Sequence, residues 1–189
     1  MRRWAGELFS CMHCHAVYST RHERREANFF PSYMSLSILL LMSVPTRVVL
    51  GADHAGYLLK ESVKKHLFAR GIDTIDCGTF SEESCDYPPI MLQAAAAVLE
   101  YDCPGIIFGG SGNGEAMVAN KVHGIRCARC VSVWDAEMAR KHNDAHMMSL
   151  GGRVTDEQTA NAMVDVFLSA EFEGGRHVQR LKQYPDFEA

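Results

Sequence analysis

Gly105-Ile106-Ile107-Phe108-Gly109-Gly110-Ser111-Gly112-Asn113-Gly114-Glu115 begins as a short apolar run and ends in a turn crowded with glycine. Four residues of this character suit a strand buried on both faces, as in a parallel sheet. The glycines permit a tight turn with inward-facing amides, and a helix opens behind them. On either side the same alternation recurs. Strands are expected at Arg47–Ala52, 72–76, 105–108, 126–133 and 147–150. The helix at 57–69 is expected to bury Leu58, Val63, Leu67 and Phe68, to expose Lys60, Glu61, Lys64 and Lys65, and to stop at Gly71. Pro88 and Pro89 open the next helix, which continues through 93–100, and another spans 135–141. Thr155-Asp156-Glu157-Gln158 reads as a capping box, Thr155 and Gln158 serving the exposed amides, ahead of an apolar face of Ala162, Val166 and Phe167. A basic tail helix at 176–183 follows Gly174-Gly175. Five such units predict an α/β fold: a three-layer αβα sandwich around a five-stranded parallel sheet.

Composition agrees with one domain. The chain has 189 residues, 47% hydrophobic and 22% charged, which is enough for a single core and too apolar for general disorder. Its net charge of -4 supplies no overall attraction to nucleic acid or to an anionic membrane. Seven cysteines, an odd number without a convincing secretory signal, point to reduced thiols in a reducing compartment, and a cytoplasmic location is expected.

Residues 1–45 differ in texture and are expected to form an irregular extension to a domain at 46–189. The apolar run at 36–42 is interrupted by Ser37 and falls well short of the roughly 20 residues of a membrane helix. Cys11-Met12-His13-Cys14-His15 fits the C-x-x-C-H haem-attachment pattern, but no haem-binding surroundings are recognisable. Cys127 and Cys130 lie three apart in an expected strand, so they point to opposite faces and do not chelate together.

In open parallel sheets, ligands gather at the carboxyl ends of the strands. Four segments are assigned there: Asp53-His54-Ala55-Gly56, Cys85-Asp86-Tyr87-Pro88, the turn from Gly109 to Glu115, and His142-Asn143 before the fifth strand. The glycine turn invites an anion, whether bound or formed during reaction. Two nucleotide readings fail on spacing. A Walker A loop requires Lys after its last glycine, where this chain has Glu115, and the dinucleotide fingerprint requires a later third glycine than Gly114. A carboxylate beside an amide-lined turn suits proton abstraction from a carbon next to a carbonyl, with the amides holding the enediolate oxygen.

These residues resemble the type B ribose-5-phosphate isomerases and their galactose- and allose-6-phosphate relatives. The likeness runs in order from Val48-Val49-Leu50-Gly51-Ala52-Asp53-His54-Ala55-Gly56, through Asp86-Tyr87-Pro88 and the glycine turn, to Ala119-Asn120-Lys121-Val122, Gly124-Ile125-Arg126, His142-Asn143 and Gly151-Gly152-Arg153. It covers nearly everything after Thr46. One branch of the family has a catalytic cysteine at the position of Gly109; this sequence resembles the other, with a glutamate after G-G-S-G-N-G.

The resemblance implies a Rossmann-like domain, no metal or other cofactor, and a homodimer, or a dimer of dimers, with sites at the subunit interface. It implies that Glu115 shuttles the proton, Ser111 relays between hydroxyls and His142 assists ring opening. Asp53 and Tyr87 would contact sugar hydroxyls, Asn143 the enediolate, and the amides of Gly110, Gly112, Asn113 and Gly114 would line the anion hole. Arg153, Arg176 and Arg180, with His54 as a further donor, would hold the phosphate, the tail arginines from the neighbouring subunit. Two alternatives stay open: a hexose 6-phosphate substrate, and a flavodoxin-like module that binds phosphate without reaction.

Overall fold

The computed structural model describes residues 44–184. The expected extension at 1–45, with its apolar run and its Cys11 to His15 motif, lies outside them except for Val44 and Pro45. Strands β1 (Arg47–Ala52), β2 (Asp73–Asp76), β3 (Gly105–Gly109), β4 (Cys127–Arg129) and β5 (Met147–Gly151) form one parallel sheet in the order β2-β1-β3-β5-β4. Between and after them run α1 (Tyr57–Ala69), α2 (Tyr87–Tyr101), α3 (Asn113–Ala119), α4 (Val133–Asn143), α5 (Glu157–Ser169) and α6 (Arg176–Leu181).

The three layers follow from strand order. Connections β1 to β2 and β4 to β5 step in one direction along the sheet, while β2 to β3 and β3 to β4 step in the other. Right-handed crossovers therefore place α1 and α4 on one face and α2 and α3 on the opposite face. The core divides accordingly. Val48, Leu50 and Phe108 pack with Val63, Ala139 and Phe167 of α1, α4 and α5. Val49, Ile107 and Met147 pack with Met91, Ala94 and Ala116 of α2 and α3. Cys127 falls in the second cluster and Cys130 in the first, so the two thiols occupy opposite sides of the sheet.

Local chemistry corrects several expected boundaries. Strand β4 stops at Arg129 because the chain turns into a cap: Ser132 Oγ accepts the Asp135 amide at 3.2 Å, and Asp135 Oδ2 accepts the Val131 amide at 3.2 Å. Helix α4 consequently starts at Val133. For α5 the box shifts by one residue. The Val154 and Thr155 amides are spent on the Gly151 carbonyl, and Asp156 becomes the cap, accepting the Thr159 amide at 2.9 Å. Its buried stripe is Ala160, Met163, Val164, Phe167 and Leu168, the i, i+3, i+4, i+7, i+8 pattern, whereas Ala162 is exposed. The tail helix ends at Leu181.

Helix α1 departs further from expectation. Leu58 and Phe68 are exposed, and Lys60 is completely buried. Its ammonium donates to Asp76 Oδ1 and Oδ2 at 2.7 and 2.8 Å and to the Thr79 carbonyl at 2.8 Å, with the Tyr57 and Phe80 rings beside it. The charge is tolerated because its donors are satisfied. The bond ties α1 to the end of β2 and to the loop that leads into Cys85 and Tyr87.

Candidate active site

At the carboxyl edge of the sheet the loops after β1 and β3 meet, where the chain's direction across the sheet reverses. Asp53 follows β1 and is buried, and its Oδ1 accepts the amides of Ala55 and Gly56, both at 2.9 Å. The loop is thus folded by the carboxylate itself. His54 Nδ1 accepts the Cys85 amide at 3.3 Å. In a neutral ring that leaves the proton on Nε2, which is then a donor.

Gly109 ends β3, and the Glu115 carboxylate lies directly over it: a Cβ at Gly109 would overlap Oε1 and Cδ. A bare backbone here makes room for the acid. It also makes a side chain at 109 and this placement of Glu115 mutually exclusive. Glu115 is only 4% exposed, and its Oε2 is buried with no hydrogen-bond partner among the described residues. Burial holds its carboxyl above the ordinary 4.5, and the neighbouring Asp53 charge adds to this; the amides of Glu115 itself and Gly112 oppose it. A carboxylate so held is a stronger base than an exposed one, and its Oε2 is left open to a substrate.

The turn is arranged around that acid. Gly112 has φ of +79°, and Ser149 Oγ, fully buried, donates to its carbonyl at 2.8 Å. Gly114 has no side chain where Tyr87 passes: a Cβ there would stand 2.8 Å from Tyr87 Oη. Ser111 is exposed at the tip, its Oγ accepting the Asn113 amide at 3.3 Å. Of the expected anion-hole amides, that of Asn113 is thus engaged, by Ser111.

Strand β5, not β4, neighbours β3, with Gly151 paired to Gly109. The loop after β5 therefore reaches the turn, and the Arg153 amide donates to the Gly110 carbonyl at 3.2 Å. Its guanidinium lies over the open side of Gly110. A second cation was not foreseen from sequence. Arg129, at the end of β4, donates from Nε to the Ser111 carbonyl at 2.8 Å. A basic residue closing a strand at this edge is the signal that would have found it.

His142 and Asn143 are not at this edge. Helix α4 runs back along the sheet for 11 residues, about 16 Å, so its last turn sits at the amino ends of the strands. A residue just before a parallel strand must lie there. Arg126, immediately ahead of β4, confirms the position by donating to the Asn143 and Asp144 carbonyls at 2.9 and 2.7 Å. Helix α6 packs on the same end. The Glu173 amide donates to the Lys141 carbonyl at 3.0 Å, and the His177 ring stacks on His142 at 4.3 Å. Arg176 and Arg180 are exposed on α6. Within one chain, then, Asp53, His54, Tyr87, the glycine turn, Glu115 and Arg153 converge, whereas His142, Asn143, Arg176 and Arg180 form a separate group.

Residues 48–184 match the family model described as Ribose/Galactose Isomerase. Ribose-5-phosphate isomerase B of Escherichia coli is 40% identical over 137 residues, covering 72% of this chain and 92% of that protein. The Mycobacterium leprae protein of the same name is 45% identical over 145 residues, covering 75% and 90%. Among solved structures, ribose-5-phosphate isomerase B of Clostridium thermocellum superposes with a TM-score of 0.71 at 44% identity, covering 72% of this chain and 93% of that one. The Mycoplasma genitalium enzyme, solved with bound ribulose-5-phosphate, gives 0.69 at 34%, covering 72% and 92%. With the match spanning β1 to the end of α6, the chain belongs to the ribose/galactose isomerase family.

Proposed function

We propose that the chain interconverts D-ribose 5-phosphate and D-ribulose 5-phosphate, the isomerisation of the non-oxidative pentose phosphate pathway, in the cytoplasm. The observation that carries this reading is Glu115: buried, unpartnered at Oε2, raised in proton affinity and seated on a bare Gly109. In the forward direction the open-chain aldose presents its C2 hydrogen to this carboxylate. Glu115 takes that proton, the C2–H electrons form the C1–C2 double bond of a cis-enediolate, and the same carboxyl returns the proton to C1. Turn amides stabilise the oxyanion once substrate displaces their present contacts. Ser111 Oγ, at the tip, passes a proton between O1 and O2. Asp53, His54 and Tyr87 line the approach. Arg153 and Arg129 make this edge cationic.

The group on the far edge serves a second copy. In a two-fold dimer the partner's last turn of α4 and its α6 would close over the glycine turn, adding an imidazole to open the furanose ring, an amide for the enediolate and the two tail arginines for the phosphate. Support comes from the split of the site across two edges and from exposed Val131, Trp134 and Val154 near the carboxyl ends of β4 and β5. Among the described residues no helix is long and apolar enough to cross a membrane.

The test is to follow metal-free protein by NMR in heavy water with ribose 5-phosphate, and separately with allose 6-phosphate and galactose 6-phosphate. Ribulose 5-phosphate carrying deuterium at C1 is expected. Turnover of a hexose phosphate alone would overturn the pentose reading, and absence of turnover with every sugar would overturn the isomerase reading.

A further inference from the structure

We infer that His142, Glu173 and His177 form a binding site for a zinc-like divalent ion, and that its occupancy inhibits the isomerase. His142 Nε2 and His177 Nε2 lie 3.7 and 3.8 Å from Glu173 Oε2, and the three ligand atoms are all within 4.8 Å of one another. Tetrahedral zinc with bonds of about 2.0–2.1 Å sets its ligand atoms about 3.3–3.5 Å apart. The two glutamate edges need to close by a few tenths of an ångström, and the imidazoles must turn out of their near-parallel stack, since a metal lies in the plane of each ring that binds it. Two features hold them near that spacing. His177 is buried and stands four residues beyond Glu173, across the Gly174-Gly175 turn. The Glu173 backbone is fastened to the end of α4 through the Lys141 carbonyl. Two imidazoles and a carboxylate leave the fourth position to water, the donor set of an open zinc site.

The surroundings select the kind of ion. Arg176 and Arg180 lie close enough to act electrostatically on His177, and the same positive field opposes any cation. Charge alone therefore does not hold an ion here; bonds to imidazole nitrogen must. That favours Zn²⁺, Ni²⁺ or Cu²⁺ over Mg²⁺ and Ca²⁺, which prefer oxygen. The consequence for turnover rests on the reading of His142 as the ring-opening residue. An ion on Nε2 takes the lone pair that would carry the proton to the ring oxygen, and it pins α6, with its arginines, to α4. The metal is an inhibitor of the reaction, not a participant in it.

The experiment uses the metal-free full chain and Glu173→Gln, an exposed position outside the substrate machinery. Without metal the variant should isomerise at the wild-type rate. Zn²⁺ should inhibit the wild type, reversibly by EDTA, with an inhibition constant at least about tenfold lower than in the variant, since losing one ligand weakens such a site at least that much. Co²⁺ should give d–d bands in the wild-type-minus-variant difference spectrum, without sulfur-to-metal charge transfer. Superimposable Co²⁺ spectra, or equal Zn²⁺ sensitivity, would overturn the site. Difference bands from a chain that turns over no sugar would establish the site and overturn the function on which its inhibitory role rests.

Discussion

Glu115 combines two costs that an ordinary surface glutamate avoids: a buried charge and an unpartnered oxygen. Both are repaid only when substrate arrives. Glu115→Gln keeps shape and removes the proposed base, so kcat should fall at least about a hundredfold, the usual worth of a positioned general base. Stability should move the opposite way. The native carboxyl binds its proton more tightly than the unfolded one, so the penalty is absent below 4.5 and complete once pH exceeds the raised native value. Thermal melts should therefore show Glu115→Gln more stable than wild type at neutral pH, with the gap closing as pH falls from the raised native value to 4.5. The same raised value should set the acid limb of the kcat/KM profile above 4.5. Gly109→Ala tests placement rather than chemistry. Its methyl group occupies the carboxylate's position, and displacing a base by about 1 Å costs roughly a hundredfold. A folded Gly109→Ala protein with undiminished kcat would contradict the geometry.

At the scale of elements, the buried Lys60 bond is the joint on which the β2–α2 connection hangs. Burial pushes the Asp76 carboxyl up, but hydrogen bonds from Lys60 and Lys64 outweigh it and leave the carboxyl below its ordinary 3.8. The stability this pair supplies is present above that value and is lost as pH falls through the depressed native one. Lys60→Met should cost less in urea unfolding than the about 3–5 kcal/mol of a fully unpaired buried charge, because Lys64 still donates to Asp76 at 2.6 Å, and Asp76→Asn in the same chain should recover part of the loss. Additive losses would show that the two residues do not share one interaction. Periodicity assigned Lys60 to the solvent face because its partner is 16 residues away at the end of β2. Local patterns do not carry such information. Where the determinant is local they served well: Cys127 and Cys130 fall in opposite core clusters as the alternation expected over 126–133 has it, although β4 itself ends at Arg129, and the glycine turn located both the end of β3 and the start of α3. Burial pushes the Cys130 thiol up to about 12, which suits a core residue rather than a metal ligand or nucleophile. The phase of α5 was missed because the Gly151 turn consumed two amides and moved the cap to Asp156.

Over the whole molecule, five βα units and their glycine turn were legible as sequence, but the order β2-β1-β3-β5-β4 was not. That order is why Arg153, and not a residue after β4, lies against Gly110. Sequence likewise placed His142 and Asn143 in the crevice, although a residue that precedes a parallel strand belongs at its opposite end. The likeness of His142 to a site residue and its location about 16 Å along α4 from the carboxyl edge agree only if the site is shared between two chains. Mixing two inactive variants tests this most directly. Glu115→Gln and Arg176→Ala proteins, unfolded together and refolded as an equal mixture, should form mixed dimers in which one of the two sites has a native Glu115 and a native partner arginine. With half the dimers mixed and half of their sites intact, about a quarter of wild-type activity should return, as two-fold symmetry requires. A mixture that forms mixed dimers yet stays as inactive as its parents would contradict a site built from Glu115 of one chain and the tail helix of the other.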